Sequence, residues 1–113
     1  MLRDLADADG QAACERLTAT GQASLIKAIG PELTNFGIND CAQVVHITGR
    51  QLSPKLRREL RHATVGRVAV HGSNAIARWS AITSLDGDLA AFFGHPKPVT
   101  LVEVDGRWLI SGL

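Results

Sequence analysis

Segment 99–113 constrains the fold more than any other part of the chain, because it predicts a β-hairpin. Asp105-Gly106 stands between two β-rich runs, and this dipeptide favours a type I′ turn, whose two central residues both need a positive φ. A turn at this point sets the register of the two strands. The expected pairs are Val104 with Arg107, Glu103 with Trp108, Val102 with Leu109, Leu101 with Ile110, Thr100 with Ser111 and Val99 with Gly112.

The two faces of this hairpin differ, because side chains alternate between the faces of a strand. The more apolar face is expected to meet the core; it carries Val99, Leu101, Trp108 and Ile110. The second face is also partly apolar, through Val102, Val104 and Leu109. A lone hairpin is barely stable in water. We therefore expect further strands beside it and a second subunit over the second face.

Ahead of the hairpin, the sequence predicts helices. Residues 2–17 are expected to form the first helix, with Gly10 as an alternative start because glycine weakens a helix interior. Residues 19–29 are expected to form the second, and the Thr18 hydroxyl suits its N-cap. Residues 31–39 are expected to form a loop.

Two further helices are predicted after this loop, in which Phe36 is expected to anchor into the core. Asp40 suits the N-cap of the first, whose apolar stripe has helical spacing and consists of Cys41, Val44, Val45, Thr48 and Leu52. Ser53 then suits an N-cap, and the proline after it suits the first position of a short helix over 54–62.

From residue 64 the pattern changes to strands. Residues 65–71 are β-rich, a turn follows, and residues 75–83 are expected to form a second strand. Helices followed by antiparallel strands predict an α+β fold, with N-terminal helices packed on one face of a curved sheet. The length of 113 residues predicts a single domain, residues 1–113.

The composition argues against two classes of interaction. The net charge is +1, so no strong field favours nucleic acid as a partner. No apolar run approaches the ~20 residues that span a bilayer, and the first residues lack the apolar region of a signal peptide. The basic run 55–62 is interpreted as a solvated helix face, the alternative being contact with phosphate or with anionic lipid headgroups.

The patterns Val68-x-Val70-x-Gly72-x-x-Ala75 and Leu101…Asp105-Gly106-x-Trp108-x-Ile110 resemble the nuclear transport factor 2-like superfamily, which includes SnoaL-like and ketosteroid-isomerase-like proteins. The resemblance implies a cystatin-like cone that encloses a pocket, and a homodimer formed through the sheet. It sets the architecture and not the activity, because function varies on this fold.

A narrower resemblance, to small exported or lipoprotein members from actinobacteria, lies in Ala13-Cys14-x-x-Leu17-Thr18 together with Cys41. It implies an extracytoplasmic location, with the signal or anchor segment and any membrane tether outside this chain. The alternative is a cytoplasmic protein.

The two cysteines, Cys14 and Cys41, form no C-x-x-C motif, which weakens zinc and thioredoxin interpretations. They are either two buried free thiols or a disulfide between two helices, and the resemblance favours the disulfide. The four histidines lack metal-site spacing. We predict no metal and no cofactor.

The expected pocket suits binding better than catalysis. The chain has no tyrosine, which ketosteroid isomerases use in their oxyanion hole, and its aspartates suit caps and turns. We therefore predict a non-catalytic binding or interaction domain with an apolar pocket, which acts through the outer sheet face or through a small apolar ligand in the pocket. The alternative is a lyase or isomerase that uses a histidine in the cone. The residues predicted at the pocket, some of which could instead be plain core, are His71, Trp79, Phe92, Phe93, His95 and Trp108.

Overall fold

The first helical segment is divided in two in the computed structural model, which describes residues 1–83, 93 and 98–113. Helix α1 spans Leu2–Ala6 and helix α2 spans Gly10–Glu15, so the prediction of one helix over 2–17 is wrong. Ala8, at a φ of 55°, breaks the helix. Asp9 restarts it, because its carboxylate accepts a hydrogen bond from the Ala12 amide at 3.1 Å. Gly10, the alternative start, is the first residue of α2.

The second helix follows its prediction, and the loop after it does not. Helix α3 spans Ala19–Ile29, and the Thr18 hydroxyl accepts the Gly21 amide at 3.0 Å. A short helix α4, Pro31–Thr34, then stands inside the predicted loop.

The prediction that Phe36 anchors in the core is also wrong, because this side chain is 81% exposed. The Ile38 amide bonds to the Leu33 carbonyl at 3.0 Å. This bond closes a tight turn, with Gly37 at a φ of 79°, that leaves Phe36 outside.

The next two helices begin at the predicted caps. Helix α5 spans Cys41–Arg50 behind Asp40, and helix α6 spans Pro54–His62 behind Ser53; each cap side chain accepts a backbone amide at 3.1 Å. The helices enclose a core of buried side chains. Its described members are Leu5, Ala6, Ala13, Cys14, Leu17, Leu25, Cys41, Val45, Leu52, Leu60 and Phe93.

Cys14 and Cys41 form a disulfide that joins α2 to α5, which confirms this prediction. Both half-cystines are buried, and their Cα atoms are 6.2 Å apart. Beside the bridge the backbones of α2 and α5 lie very close to each other. A β-carbon on Gly10 would overlap the carbonyl group of Ala42. The disulfide therefore stands at a tight contact between the two helices.

The described strands form two antiparallel sheets. Strand β1, Thr64–Val65, pairs with β4, Ile82–Thr83. The larger sheet has the order β2-β3-β5-β6, formed by Ala69–His71, Asn74–Ala77, Val99–Val104 and Arg107–Gly112. With the helices before them, these strands confirm an α+β fold.

The predicted strand over 75–83 is interrupted. Strand β3 ends at Ala77, and Trp79–Ala81 form a 3-10 turn in which the Ala81 amide bonds to the Arg78 carbonyl at 2.9 Å. This turn lets Trp79 pack against the helical core.

The closing hairpin has the predicted turn and most of the predicted register. Asp105 and Gly106 have φ values of 51° and 78°, and the four pairs nearest the turn are those expected. The outer register is wrong, because a bulge places Gly112 opposite Thr100. Ser111 keeps contact with Thr100 through a hydroxyl hydrogen bond of 3.0 Å.

The helical layer meets the sheet along the outer edge of β6. The Ile110 amide bonds to the Arg16 carbonyl, and the Thr18 amide bonds to the Ile110 carbonyl, both at 2.9 Å. Leu17 thus lies beside Ile110 in a parallel bridge. The connection between α2 and α3 therefore covers the β6 edge.

Candidate functional site

An apolar cleft of about 450 Å³ lies on the face of the larger sheet that the sequence predicted to meet the core. Its described lining consists of Met1, Leu2, Val65, Val68, Val70, Ala75, Ala77, Ile82, Val99, Leu101, Trp108 and Ile110. The sheet forms one wall, and the start of α1 contributes the first two of these residues.

The strand register produces the sheet wall. Val70 pairs with Ala75, Ala75 with Leu101, and Leu101 with Ile110, so four apolar side chains form one row across the sheet. Side chains at paired positions lie on the same face of a sheet. The side chains at the middle of this row are short, because Ala75 carries only a methyl group. Ala77, which lies on the same face, also carries only a methyl group. These two small residues leave space over the centre of the sheet.

The cleft is open to solvent on one side. Val70 is 56% exposed and Trp108 is 39% exposed, although both belong to the lining. Ala75, Ala77 and Val99 are buried at its floor. A ligand could therefore enter between exposed apolar side chains and contact a buried apolar floor.

The described lining contains no titratable side chain. In the strand register, the exposed Glu103 pairs with Trp108 of the lining. The amino group of Met1 lies 3.4 Å from an Asp4 carboxylate oxygen, and burial lowers its pKa below the ordinary value. The described lining side chains would therefore bind a ligand through apolar contacts.

The structure separates the residues that the sequence predicted at a pocket. Trp108 lines the cleft. Trp79 and Phe93 instead stack on each other at the helical core, with ring centroids 5.1 Å apart. His71 is exposed and pairs with Asn74, on the face of β2 opposite Val70. Phe92 and His95 lie outside the described residues.

Most lining residues were not named as site residues from the sequence. The alternation of Val68 with Val70, and of Ala75 with Ala77, was the available signal, since residues two apart share a face. The contribution of Met1 and Leu2 had no such signal, because it depends on how α1 packs near the sheet.

Buried Glu59 was also missed; only 2% of it is exposed. Helical spacing could have found it, because Glu59 lies three residues after Leu56, a spacing that places two residues on one helix face. It belongs to α6 and not to the cleft lining.

No group of three or more His, Cys, Asp or Glu side chains in residues 1–83, 93 and 98–113 could hold a metal ion. In the same residues, no helix combines the length and the apolar character needed to cross a membrane.

Comparison with protein-family models, curated proteins and solved structures found no match to this chain.

Proposed function

We propose that this chain is a non-catalytic binding domain whose apolar cleft takes a small apolar ligand. The observation that carries this proposal is the cleft itself: about 450 Å³ lined, among the described residues, by twelve apolar side chains. Small-molecule sites commonly enclose roughly 300–1,000 Å³ and are lined mainly by apolar side chains. The volume and the lining both fit such a site.

The energetics favour an uncharged ligand. Each Å² of apolar surface removed from water contributes about 25 cal/mol. A charged group buried in the cleft would lose its hydration without gaining a partner among the described lining side chains. The ligand class is therefore apolar or amphipathic, with any polar group at the open mouth near Trp108.

The disulfide supports an extracytoplasmic location in our proposal. Disulfides persist in oxidising compartments and are rare in the cytosol, and Cys14–Cys41 is buried between two helices. An extracytoplasmic member of the nuclear transport factor 2-like superfamily would combine helices, an antiparallel sheet and an apolar cleft. That assignment rests on the sequence patterns and on this arrangement of elements.

A second copy of the chain is the partner that we propose for the other face of the sheet. Ile76 and Val104 on that face are exposed, and Val102 and Leu109 beside them are half-buried. Apolar patches are usually covered, and two-fold dimers are the commonest soluble oligomers.

The binding proposal is tested with N-phenylnaphthylamine, an uncharged apolar fluorophore. Val70→Asp places a carboxylate in the cleft wall, and Ala23→Asp places the same group on α3, outside the cleft and outside the proposed dimer face; both positions are exposed. We expect saturable binding to the unmodified chain, about tenfold weaker binding to Val70→Asp because of the unpaired charge, and unchanged binding to Ala23→Asp.

Two results would overturn the proposal. One is the absence of saturable binding to the unmodified chain. The other is an equal loss in both variants while their unfolding curves match that of the unmodified chain, because binding would then not depend on the cleft face.

A further inference from the structure

A second depression, of about 410 Å³, is lined by charged side chains and lies apart from the apolar cleft. Its described lining is Ala6, Asp7, Ala8, Arg50, Arg57 and Arg61. It shares no described lining residue with the cleft. Three guanidinium groups therefore face one carboxylate around the same depression.

Local structure brings the three arginines together. Arg57 and Arg61 are four residues apart on α6, and this spacing places them on one helix face. Arg50 is the last residue of α5, and the short turn through Ser53 joins the two helices. Asp7 comes directly after α1 and contributes the single negative charge of the described lining.

The internal bonds of these arginines use only part of their hydrogen-bonding capacity. Arg61 donates Nε and Nη2 to one oxygen of Asp7, at 3.0 and 2.7 Å. Arg57 donates Nη2 to the Gly49 carbonyl at 3.2 Å. Among the hydrogen bonds and ion pairs of the described residues, none involves the Arg50 side chain. Each guanidinium carries five N–H donors, so several donors remain for an external acceptor.

The positive charge here is a local property. The whole chain has a net charge of +1, yet this depression has three positive charges and one negative charge among its described lining. Asp7 neutralises one guanidinium, and Arg57 is held in place by the Gly49 carbonyl. Arginine is the side chain best suited to bidentate recognition of phosphate oxygens.

We propose that this depression binds a phosphate group, with Arg50 and Arg57 as its principal ligands and Arg61 shared with Asp7. The phosphate belongs either to a soluble phosphate monoester or to a lipid headgroup, since both present the same oxygens. The site is independent of the proposed apolar ligand, because it shares no described lining residue with the cleft.

The test titrates the whole chain with inorganic phosphate at constant ionic strength and follows binding by nuclear magnetic resonance. Arg50→Gln is the informative variant, because Arg50 makes no hydrogen bond among the described residues that the substitution would break. Arg58→Gln is the matched control, since it removes the same charge from an exposed position of α6 outside the depression. We expect about tenfold weaker binding to Arg50→Gln, because one charge-assisted hydrogen bond to the phosphate is lost. In Arg58→Gln we expect less than about a twofold change, because Arg58 lies outside the depression and acts on the phosphate only through a screened long-range interaction.

Glycerol phosphate and phosphatidylglycerol vesicles distinguish the two sources of phosphate. If Arg50→Gln weakens binding to glycerol phosphate but does not change binding to the vesicles, the result supports a soluble phosphate ester. If the chain sediments with phosphatidylglycerol vesicles but not with phosphatidylcholine vesicles, and Arg50→Gln reduces this sedimentation, the result supports a lipid headgroup. The proposal is overturned if no probe binds, or if Arg58→Gln loses as much binding as Arg50→Gln.

Discussion

Gly21 of α3 packs directly against the backbone carbonyl oxygen of Ile110 in β6, so close that a β-carbon on residue 21 would overlap that carbonyl group. The same carbonyl accepts the Thr18 amide at 2.9 Å. The first turn of α3 thus lies against the sheet edge with backbone touching backbone. This junction joins the helical layer to the wall of the apolar cleft, because Ile110 belongs to both.

Gly21→Ala is expected to lower the free energy of unfolding by about 1–3 kcal/mol, the usual cost of overpacking a buried contact. The direction is diagnostic, because replacing glycine by alanine inside an unhindered helix normally stabilises it by up to about 1 kcal/mol. Urea unfolding measures the difference, and Thr20→Ala, at an exposed position of the same helix, is the control. A Gly21→Ala variant at least as stable as the unmodified chain would show that this contact is not tight.

Removal of the disulfide is expected to cost about 3–4 kcal/mol of unfolding free energy in the chain-entropy model, because the bridge closes a loop between residues 27 apart. The double variant Cys14→Ala/Cys41→Ala tests this by urea unfolding. A reducing agent should destabilise the unmodified chain and leave the double variant unchanged. Thiol titration of the denatured, unreduced protein should find no free thiol in the unmodified chain; two free thiols in oxidised material would contradict the bridge.

Trp79→Ala is expected to destabilise the chain by about 2–4 kcal/mol, because it removes a large ring that packs on the helical core. His71→Ala should change stability by less than about 0.5 kcal/mol, since His71 is exposed at the end of a short strand. The two variants are compared by thermal and urea unfolding, and by binding of N-phenylnaphthylamine. If His71→Ala abolished a cellular activity of the protein without changing its stability, a histidine-dependent enzyme would replace the binding proposal.

Leu109→Lys is expected to separate the proposed dimer into monomers, because it places an ammonium group in the middle of the apolar outer face. Light scattering at micromolar concentration should give twice the chain mass for the unmodified protein and one chain mass for the variant. Ala23→Lys, at an exposed position of α3, controls for the added charge. An unmodified chain that scatters as a monomer at every concentration would refute this proposal.

The features predicted correctly from the sequence are local ones. Asp105-Gly106 determines its turn because few dipeptides accept a positive φ at both positions, and the nearest strand pairs follow from the turn. Thr18, Asp40 and Ser53 cap helices because their side-chain oxygens accept amides only three residues ahead. In each case the partner atom is close in the sequence.

The errors arose where the local backbone geometry, rather than the side-chain pattern, decides the outcome. Hydropathy placed Phe36 in the core, but a backbone turn between Leu33 and Ile38 turns it to solvent. The alternation of side chains along the strands predicts Ser111 opposite Thr100. In the structure a bulge puts Gly112 opposite Thr100 instead. Hydropathy and alternation describe side chains alone, and they therefore miss both the turn that Gly37 allows at a φ of 79° and the bulge.

The candidate site was predicted only in part. The sequence places Leu101, Trp108 and Ile110 on one apolar face of the closing hairpin, expected to meet the core, and all three line the cleft. That this face would border an open cleft depends on the volume left between the sheet and α1. Such a volume follows from the packing of elements that are far apart in the chain.

The contact between Thr18 and Ile110 also bears on the order in which the chain folds. These residues are 92 positions apart, and closing so long a loop costs conformational entropy before the contact is gained. The capped helices and the hairpin can form earlier, because their contacts are local. The edge contact is therefore expected to form after the transition state, so Gly21→Ala should accelerate unfolding in stopped-flow measurements and leave the refolding rate almost unchanged.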